Sequence, residues 1–426
     1  MHDAFPGFWN ANESSFFGRF LLACIGIWQV SPSFSLASEL SLSDALASSA
    51  SQHPSVKVKQ AELQAARGDQ ETAKWSRFPT LSTEVSTTGS RPQGALVVQQ
   101  PLWAGGKIDA QIRMAEAYVG SADWGLSESR NGLMLQTGQQ FFEVLRWRQR
   151  LTVAEKNAQE HQRLKELIDR RVAAQISPVA DQVLANARLQ QALSEKIQFN
   201  RSLQTARLSL QQLVGAPHAR LRTPRALAWQ PMDETLAIEQ GKAVSAELQR
   251  LRTQQQVVQA QIDVADAAIY PTLVLAHRRT LGATETGVDS NRTYLALQYT
   301  PGPGLSARSA AAAARLRMEG TLQNVVAYEC QLEQQVTTAL ADLKAYEQQV
   351  EPAQSLVVAT EEVVDSYLRQ YQIGRKNWLD VLNAVRESSQ AAYNAVDVGN
   401  SKEALQLRLM LLTGQLTAQN LSTVHD

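Results

Sequence analysis

Long stretches with helical periodicity dominate the chain. No proline lies between Pro101 and Pro178, and Leu164, Leu167 and Ile168 recur at the spacing of one helix face. The pattern predicts a continuous helix from near Ala110 to Gln175, roughly 100 Å long at 1.5 Å per residue. The second half repeats this spacing at five apolar positions: Val325, Leu332, Val336, Leu340 and Leu343. A narrow apolar seam with polar flanks favours helices that pack side by side as coiled coils.

Prolines lie at the predicted ends or junctions of these helices. In F-P-T-L and Y-P-T-L, Pro79 and Pro271 each end a helix and begin an extended segment, because proline lacks an N–H and restricts the preceding residue. Pro101 and Pro301 are a second pair of predicted helix-strand switches. Pro352 predicts a kink or a helix junction in the second half.

Four segments of strand length follow these switches: residues 81–88, 95–103, 272–280 and 293–300. In the first, Leu81, Thr83 and Val85 alternate with polar residues, which predicts a strand with one apolar and one wet face. The lengths suit tilted membrane strands. Because a bilayer leaves no backbone group unpaired, four strands per chain would need two, three or four copies to close a barrel.

Further motifs recur in both halves in the same order and at similar spacing. Q-I-S-P-V-A-D at 175–181 corresponds to G-R-K-N-W-L-D at 374–380, and L-V-G at 213–215 corresponds to L-T-G at 412–414. The chain is therefore predicted to hold two structural repeats, at 38–222 and 241–426, joined by a linker at 223–240. The fold class is mainly α with a small β part.

Residues 1–37 have the features of a signal peptide. Arg19 precedes an apolar run at 20–30, and S-L-A ending at Ala37 is a cleavage signature. An alternative reading takes Cys24 as a lipoprotein cleavage site. Removal of the leader would leave Cys330 alone, so no intramolecular disulfide is expected. Beyond the leader no apolar stretch reaches the length of a transmembrane helix, so a membrane role would use strands.

Aromatic residues gather where helices meet strands and predict an interfacial belt. They are Trp75, Phe78, Trp103, Tyr270 and Tyr299. The alternative is that they cover the end of a helical core and that the strands form a small soluble sheet.

Charge and motif content narrow the function classes. The 41 basic and 41 acidic residues cancel, so bulk charge attracts neither nucleic acid nor anionic lipid. The six histidines form no metal-binding spacing, no phosphate loop is present, and the carboxylates Glu361 and Glu362 belong to a solvated helix face. We predict no cofactor, no metal site and no enzyme activity.

The repeated x-P-x-L switches, Q-P-L-W-A-G-G-K at 100–107 and Y-x-x-G-x-x-x-x-x-D-V-L at 371–382 resemble the TolC family of outer-membrane efflux and type I secretion channels. The resemblance implies a homotrimer whose twelve strands form a barrel in the outer membrane of a Gram-negative cell. A helical tunnel would continue it into the periplasm. The partners would be a periplasmic adaptor and an inner-membrane pump or ABC transporter.

The same resemblance assigns roles to residues at the periplasmic tip. The gate residues would be Asp181, Tyr371, Lys376 and Asp380, with Tyr371 or Lys376 hydrogen-bonded to Asp181. The adaptor docking tip would be Gln175, Ile176, Gly374 and Arg375. Gln175 stands where the second repeat has glycine, and Asn383 stands where some members have an acidic residue.

Alternatives remain open at the tip. Asp181 and Asp380 could serve mainly as helix N-caps, and Trp378 could be either a core anchor or an exposed adaptor contact. For the whole chain, the rivals to a passive exit duct are a soluble periplasmic coiled-coil adaptor without a pore and an exported enzyme on a helical scaffold. The cargo leaves no signature in the sequence.

Overall fold

A computed structural model describes residues 39–88, 91–215, 220–224, 226–282, 290–300, 302–418, 420–421 and 424–425. The predicted signal peptide at 1–37, the alternative cleavage site at Cys24 and the predicted switch at Pro301 lie outside these residues. Within them, helices predominate and a four-stranded antiparallel sheet forms most of the β part, as the sequence predicts; two short strands pair separately.

The first half contains four helices and two long strands. In chain order they are α1 (Leu42–Gln52), α2 (Pro54–Trp75), β1 (Thr80–Thr88), β2 (Arg91–Trp103), α3 (Lys107–Ala173) and α4 (Val179–Val214). The long helix predicted from Ala110 to Gln175 is α3, which has 67 residues. Ser41 begins α1 by accepting the backbone N–H of Asp44, a standard helix cap.

The second half repeats the order helix, two strands, two long helices. After a short strand β3 (Ala226–Leu227) come α5 (Glu234–Val244), α6 (Ala246–Ala267), β4 (Thr272–Gly282), β5 (Asn291–Gln298), α7 (Ala307–Gln372), α8 (Trp378–Leu412) and β6 (Val424–His425). A single 3-10 turn, Pro303–Leu305, precedes α7. The range predicted as a linker, 223–240, contains β3 and the beginning of α5.

Pro352 lies inside α7, which continues through it to Gln372. The predicted helix junction at Pro352 is therefore wrong. Proline removes one backbone donor within a helix, but the remaining hydrogen bonds and the packing of α7 against α8 and α6 keep the helix continuous.

Two glycines, rather than Pro101, return the chain from β2 to α3. Pro101 lies inside β2, next to a register irregularity before Trp103, so its predicted role as a switch is wrong. The reversal follows at Gly105 and Gly106, whose φ angles are 60° and 84°. These left-handed conformations favour glycine, and a Cβ on Gly105 would lie 2.8 Å from that of Tyr270.

The longer helices pack side by side. On the side of the strands the neighbours are α2, α3, α6 and α7, and on the opposite side they are α4, α3, α8 and α7. The largest core cluster joins α1, α3, α4 and α8 around Leu46, Phe141 and Leu407. A second cluster lies at the far end of the helices around Ile168, Trp378 and Leu382. Among the described residues, none of the helices combines the length and the apolarity needed to cross a bilayer.

Candidate functional site

The sheet is the first candidate site, and its strand order is β1, β2, β4, β5. Pro79 and Pro271 lie in the four-residue connections that lead from α2 to β1 and from α6 to β4. Both connections use the same hydrogen bond, from the N–H of Phe78 to the carbonyl of Trp75 and from Tyr270 to Ala267. The two repeats therefore turn from helix to strand in the same way.

One face of the sheet, here called the apolar face, presents large side chains to the exterior of the chain. Its exposed members are Leu81, Val85, Leu275, Leu281, Leu295 and Leu297. Their exposed fractions run from 38% at Leu275 to 80% at Val85. Soluble proteins rarely expose a contiguous apolar patch of this kind without a partner or a membrane.

The opposite face, here called the polar face, has the reverse character. Ser82, Glu84 and Arg278 lie on it, together with small residues of the two central strands. The small residues Ala95, Val97, Val274 and Ala276 are buried. Large apolar residues on one face and small or polar residues on the other is the pattern of membrane strands.

The five predicted belt residues are all exposed at the junctions of helices and strands. Trp75 and Phe78 have their ring centroids 5.1 Å apart, and Trp103 and Tyr270 are edge to face at 6.3 Å. Tyr299 follows β5 and is 55% exposed. These rings do not cover a helical core, which was the alternative interpretation.

Both edges of the chain are open. Among the described strands, β1 and β5 each have one paired neighbour, which leaves a row of backbone groups on the other side. In the helical part, α4 and α7 are the ends of the row α4, α3, α8, α7. Along α4 a stripe of exposed apolar side chains follows the helical spacing: Val179, Val183, Leu193, Ile197 and Leu208.

The second candidate site is the tip, where α3 turns into α4 and α7 turns into α8. The N–H of Ile176 donates to Arg171 at 2.8 Å, and the N–H of Arg375 donates to Gln370 at 2.8 Å. This is the Schellman arrangement, which requires a left-handed residue just after the helix. Gly374 supplies it with a φ of 76°, and Gln175 adopts a φ of 58° in the first repeat.

Tyr371 connects the two tip turns. Its hydroxyl lies 3.3 Å from the hydroxyl of Ser177, and the guanidinium of Arg171 lies 4.8 Å above its ring. The Arg171 side chain also donates to Ser177 at 3.2 Å. Within the described part of one chain, Tyr371 therefore contacts Ser177 rather than Asp181, contrary to the hydrogen bond expected from the sequence. Motif comparison missed Ser177 and Arg171 because neither belongs to the shared pattern.

Lys376 and Asp380 lie together at the second turn. The Lys376 ammonium is 3.9 Å from the Asp380 carboxylate and 4.1 Å from the centre of the Tyr367 ring. Asp380 accepts the backbone N–H of Asn377 at 3.3 Å, so it completes a capping box instead of being the N-cap itself. In the first repeat the N-cap is Pro178, and Asp181 lies in the first turn of α4.

Trp378 is a core anchor. It is 3% exposed, and its ring centroid lies 5.3 Å from that of Tyr371. Its indole nitrogen has no hydrogen-bond partner among the described residues. The tip surface is formed instead by exposed apolar side chains, with Ile176 on the first turn and Ile373 and Leu379 on the second.

The chain is similar to known outer-membrane proteins in both sequence and fold. Residues 45–216 match the family model described as outer membrane efflux protein. The chain is 24% identical over 331 residues to the outer membrane protein TolC of Vibrio cholerae. The aligned region covers 73% of this chain and 74% of the relative. The resemblance to the TolC family is confirmed. The description of the family model also agrees with the predicted outer-membrane location.

Solved structures share the fold of this TolC-like chain. A membrane protein from Pseudomonas aeruginosa superposes with a TM-score of 0.80 at 16% identity, covering 90% of this chain and 92% of the other. The outer membrane protein VceC of Vibrio cholerae superposes with a TM-score of 0.76 at 18% identity, covering 88% of this chain and 96% of the other. The match extends beyond the 45–216 segment to nearly the whole described fold.

Proposed function

We propose that the chain is the outer-membrane exit duct of a tripartite efflux or type I secretion system and works as a homotrimer. The observation that carries this proposal is the sheet, whose large apolar side chains lie on one face and whose small and polar side chains lie on the other. Three copies would supply twelve strands, and the belt residues would lie at the membrane surface on the periplasmic side.

The open edges support a head-to-tail ring. β5 of one copy would pair with β1 of the next, which would satisfy both rows of free backbone groups. In the helical part, α7 would pack against the α4 of the neighbour and cover the stripe of exposed apolar residues on that helix. The two edges of the chain differ, so this contact is heterologous and the ring closes by rotation.

The tip is the proposed entrance. Ile176, Gln175, Gly374 and Arg375 form exposed turns that a periplasmic adaptor would contact. The gate would comprise Tyr371, Lys376, Asp380 and Asp181. In one chain Tyr371 is bound to Ser177, so any contact with Asp181 would be made between copies or during opening. The duct has no energy source of its own and would rely on an inner-membrane pump.

A pair of neighbouring residues on β5 tests membrane insertion. Leu295 lies on the apolar face and is 63% exposed, whereas Tyr294 lies on the polar face and is 40% exposed. We expect Leu295→Arg to cost about 2–4 kcal/mol per chain if the side chain faces lipid and to remove the protein from the outer-membrane fraction. Tyr294→Arg should still yield a heat-stable trimer there.

Two results would contradict the proposal. The first is that Leu295→Arg and Tyr294→Arg are tolerated equally. A soluble periplasmic adaptor would behave in this way, since replacing an exposed leucine in water changes stability by no more than about 0.5 kcal/mol. Recovery of the wild-type chain as a water-soluble monomer would also exclude the duct. The mass of the detergent-extracted oligomer and the cell fraction that contains it are the measurements.

A further inference from the structure

Two arginines lie directly opposite each other on the polar face of the sheet. Arg278 of β4 and Arg292 of β5 are paired in the strand register, and Ser82 and Val97 continue the same row across β1 and β2. Like charges in opposed positions destabilise a strand pair. Their side chains are exposed in the single chain, as expected if they face water.

One carboxylate partly balances this pair. Glu84 of β1 lies on the same face, and its carboxylate is 3.6 Å from the guanidinium of Arg278. The side chains of Arg278 and Glu84 are 45% and 64% exposed. Among the charged side chains that the structure describes on this face, two arginines therefore stand against one glutamate, leaving one unbalanced positive charge per chain.

The polar face carries the buried small residues Ala95, Val97, Val274 and Ala276, and the large exposed apolar residues lie on the other face. In the trimer proposed above, on which this inference rests, the apolar face contacts lipid, so the polar face becomes the wall of the pore. The three copies would bring six arginines and three glutamates to one level of the barrel. If Arg292 of one copy also reaches Glu84 of the next, the net charge of the level is unchanged.

We propose that Arg278 and Arg292 form an anion-attracting layer inside the barrel, which favours the passage of anions and of acidic parts of the cargo. Charged side chains that line a pore set its ion preference. Walls of low dielectric focus the field of such a layer onto the water between them. The layer acts within about 10 Å at 0.1 M salt, so its influence is greatest on solutes that pass close to the wall.

Arg279 provides a matched control. It is the next residue after Arg278 and has the same chemistry, but the alternation of β4 places it on the apolar face, opposite Asn291. Replacing Arg279 therefore removes the same charge from the same strand without changing the layer. Glu84→Gln removes a negative charge from the layer itself, so its effect on ion preference should be opposite to that of removing the arginines.

The experiment measures the reversal potential of the trimer in planar bilayers under a KCl gradient at low ionic strength. We expect the R278Q/R292Q double variant to lower the chloride-to-potassium permeability ratio by about twofold relative to wild type. R278K/R292K should keep the wild-type ratio, R279Q should leave it unchanged, and E84Q should raise it. A heat-stable trimer on gels confirms that each variant is assembled.

The outcomes separate this inference from the proposed function. If wild-type trimers form channels but R278Q/R292Q leaves the ratio unchanged, or R279Q changes it as much, the anion-attracting layer is refuted and the duct stands. If the wild-type protein forms no channels, both proposals fail. Should the double variant not assemble, E84Q decides: an unchanged or lowered ratio overturns the layer.

Discussion

Gln175 and Gly374 occupy the same position in the two repeats, and both have a positive φ, 58° and 76°. Each follows the C-cap residue of a helix whose last turn is closed by a 2.8 Å hydrogen bond from the next residue, Ile176 or Arg375. Gln175 is the one residue other than glycine with a positive φ among those the structure describes. The first tip turn is therefore strained where the second is relaxed.

Exchanging the two residues tests this difference. We expect Gln175→Gly to stabilise the first turn by about 0.5–1 kcal/mol, because the left-handed conformation costs a side chain more than it costs glycine. Gly374→Gln should destabilise the second turn by a similar amount, since a Cβ there has open space and only the φ opposes it. Hydrogen exchange at the amides of Ile176 and Arg375 measures both. Equal exchange rates in wild type and variants would refute the strain.

Trp378 and Leu379 are adjacent but have different roles. Trp378 is buried against Tyr371, so Trp378→Ala should cost about 3–5 kcal/mol through the cavity that it leaves. Leu379 is 51% exposed, and Leu379→Ala should change stability by about 0.5 kcal/mol or less. Urea unfolding measures the stability. If Leu379 contributes to adaptor docking, its variant will lose adaptor binding while remaining folded. Similar losses of stability in both variants would contradict the assignment of Trp378 to the core.

Two glycines of α3 should respond oppositely to alanine. A Cβ on Gly138 would lie 2.2 Å from Cδ2 of Leu407, which is itself buried in the largest core cluster. Gly138→Ala should therefore destabilise by about 1–2 kcal/mol, since overpacking outweighs the better helix propensity. Gly132 is exposed and has open space around it. Gly132→Ala should stabilise by about 0.5–1 kcal/mol. Thermal unfolding of the two variants side by side is the measurement, and a shift of the same sign in both would exclude close packing at Gly138.

His161 should make the tip half of the helices sensitive to acid. It is buried, its Nδ1 has no partner among the described residues, and it lines a cavity of about 60 Å³ with Arg188, Glu195 and Arg386. Burial, and then the charge of Arg188, lower the pKa of His161 below its ordinary value of 6.5. The unfolded chain then binds a proton more readily than the folded chain, so stability should fall as the pH drops below about 6.5.

The comparison with His161→Gln isolates this effect. Each unit by which the pKa is lowered removes about 1.4 kcal/mol once the pH is below the folded value. The wild type should therefore lose more stability than the glutamine variant between pH 7.5 and pH 5, as measured by denaturant midpoints. If the stability of the two proteins changes with pH in the same way, the pKa of His161 is the same in the folded and unfolded chains and this prediction is wrong.

Much of the architecture could be predicted from the sequence because it follows from backbone chemistry. Pro79 and Pro271 end helices for local reasons, and the alternation from Leu81 to Ser86 determines which face of a strand each residue joins. The predictions failed where packing decides. At Pro352 the sequence predicts a kink or a helix junction, but α7 continues through this residue to Gln372 and has no junction there. Pro101 pairs with Pro301 in the repeat pattern, which predicts a switch, but the glycines at 105 and 106 make the turn after β2.

The tip was predicted less completely than the sheet. The motif indicates Tyr371 and predicts Asp181 as a partner for it or for Lys376, whereas in the single chain Tyr371 contacts Ser177 and Lys376 lies near Asp380. Ser177 reaches Tyr371 across the two repeats, and no local pattern reports such a contact. The charge balance on the polar face could not be predicted from the sequence either, because Glu84 and Arg278 are distant in the chain and come together only through the strand register.

The unlike edges of the chain, β1 with α4 on one side and β5 with α7 on the other, have a genetic consequence. In the ring proposed above, a copy damaged on one edge still has an intact second edge, so it would join a ring and prevent that ring from closing. In a cell that makes both damaged and normal copies, most rings would contain at least one defective member. Edge mutations should therefore be dominant, whereas mutations that unfold the whole chain should be recessive.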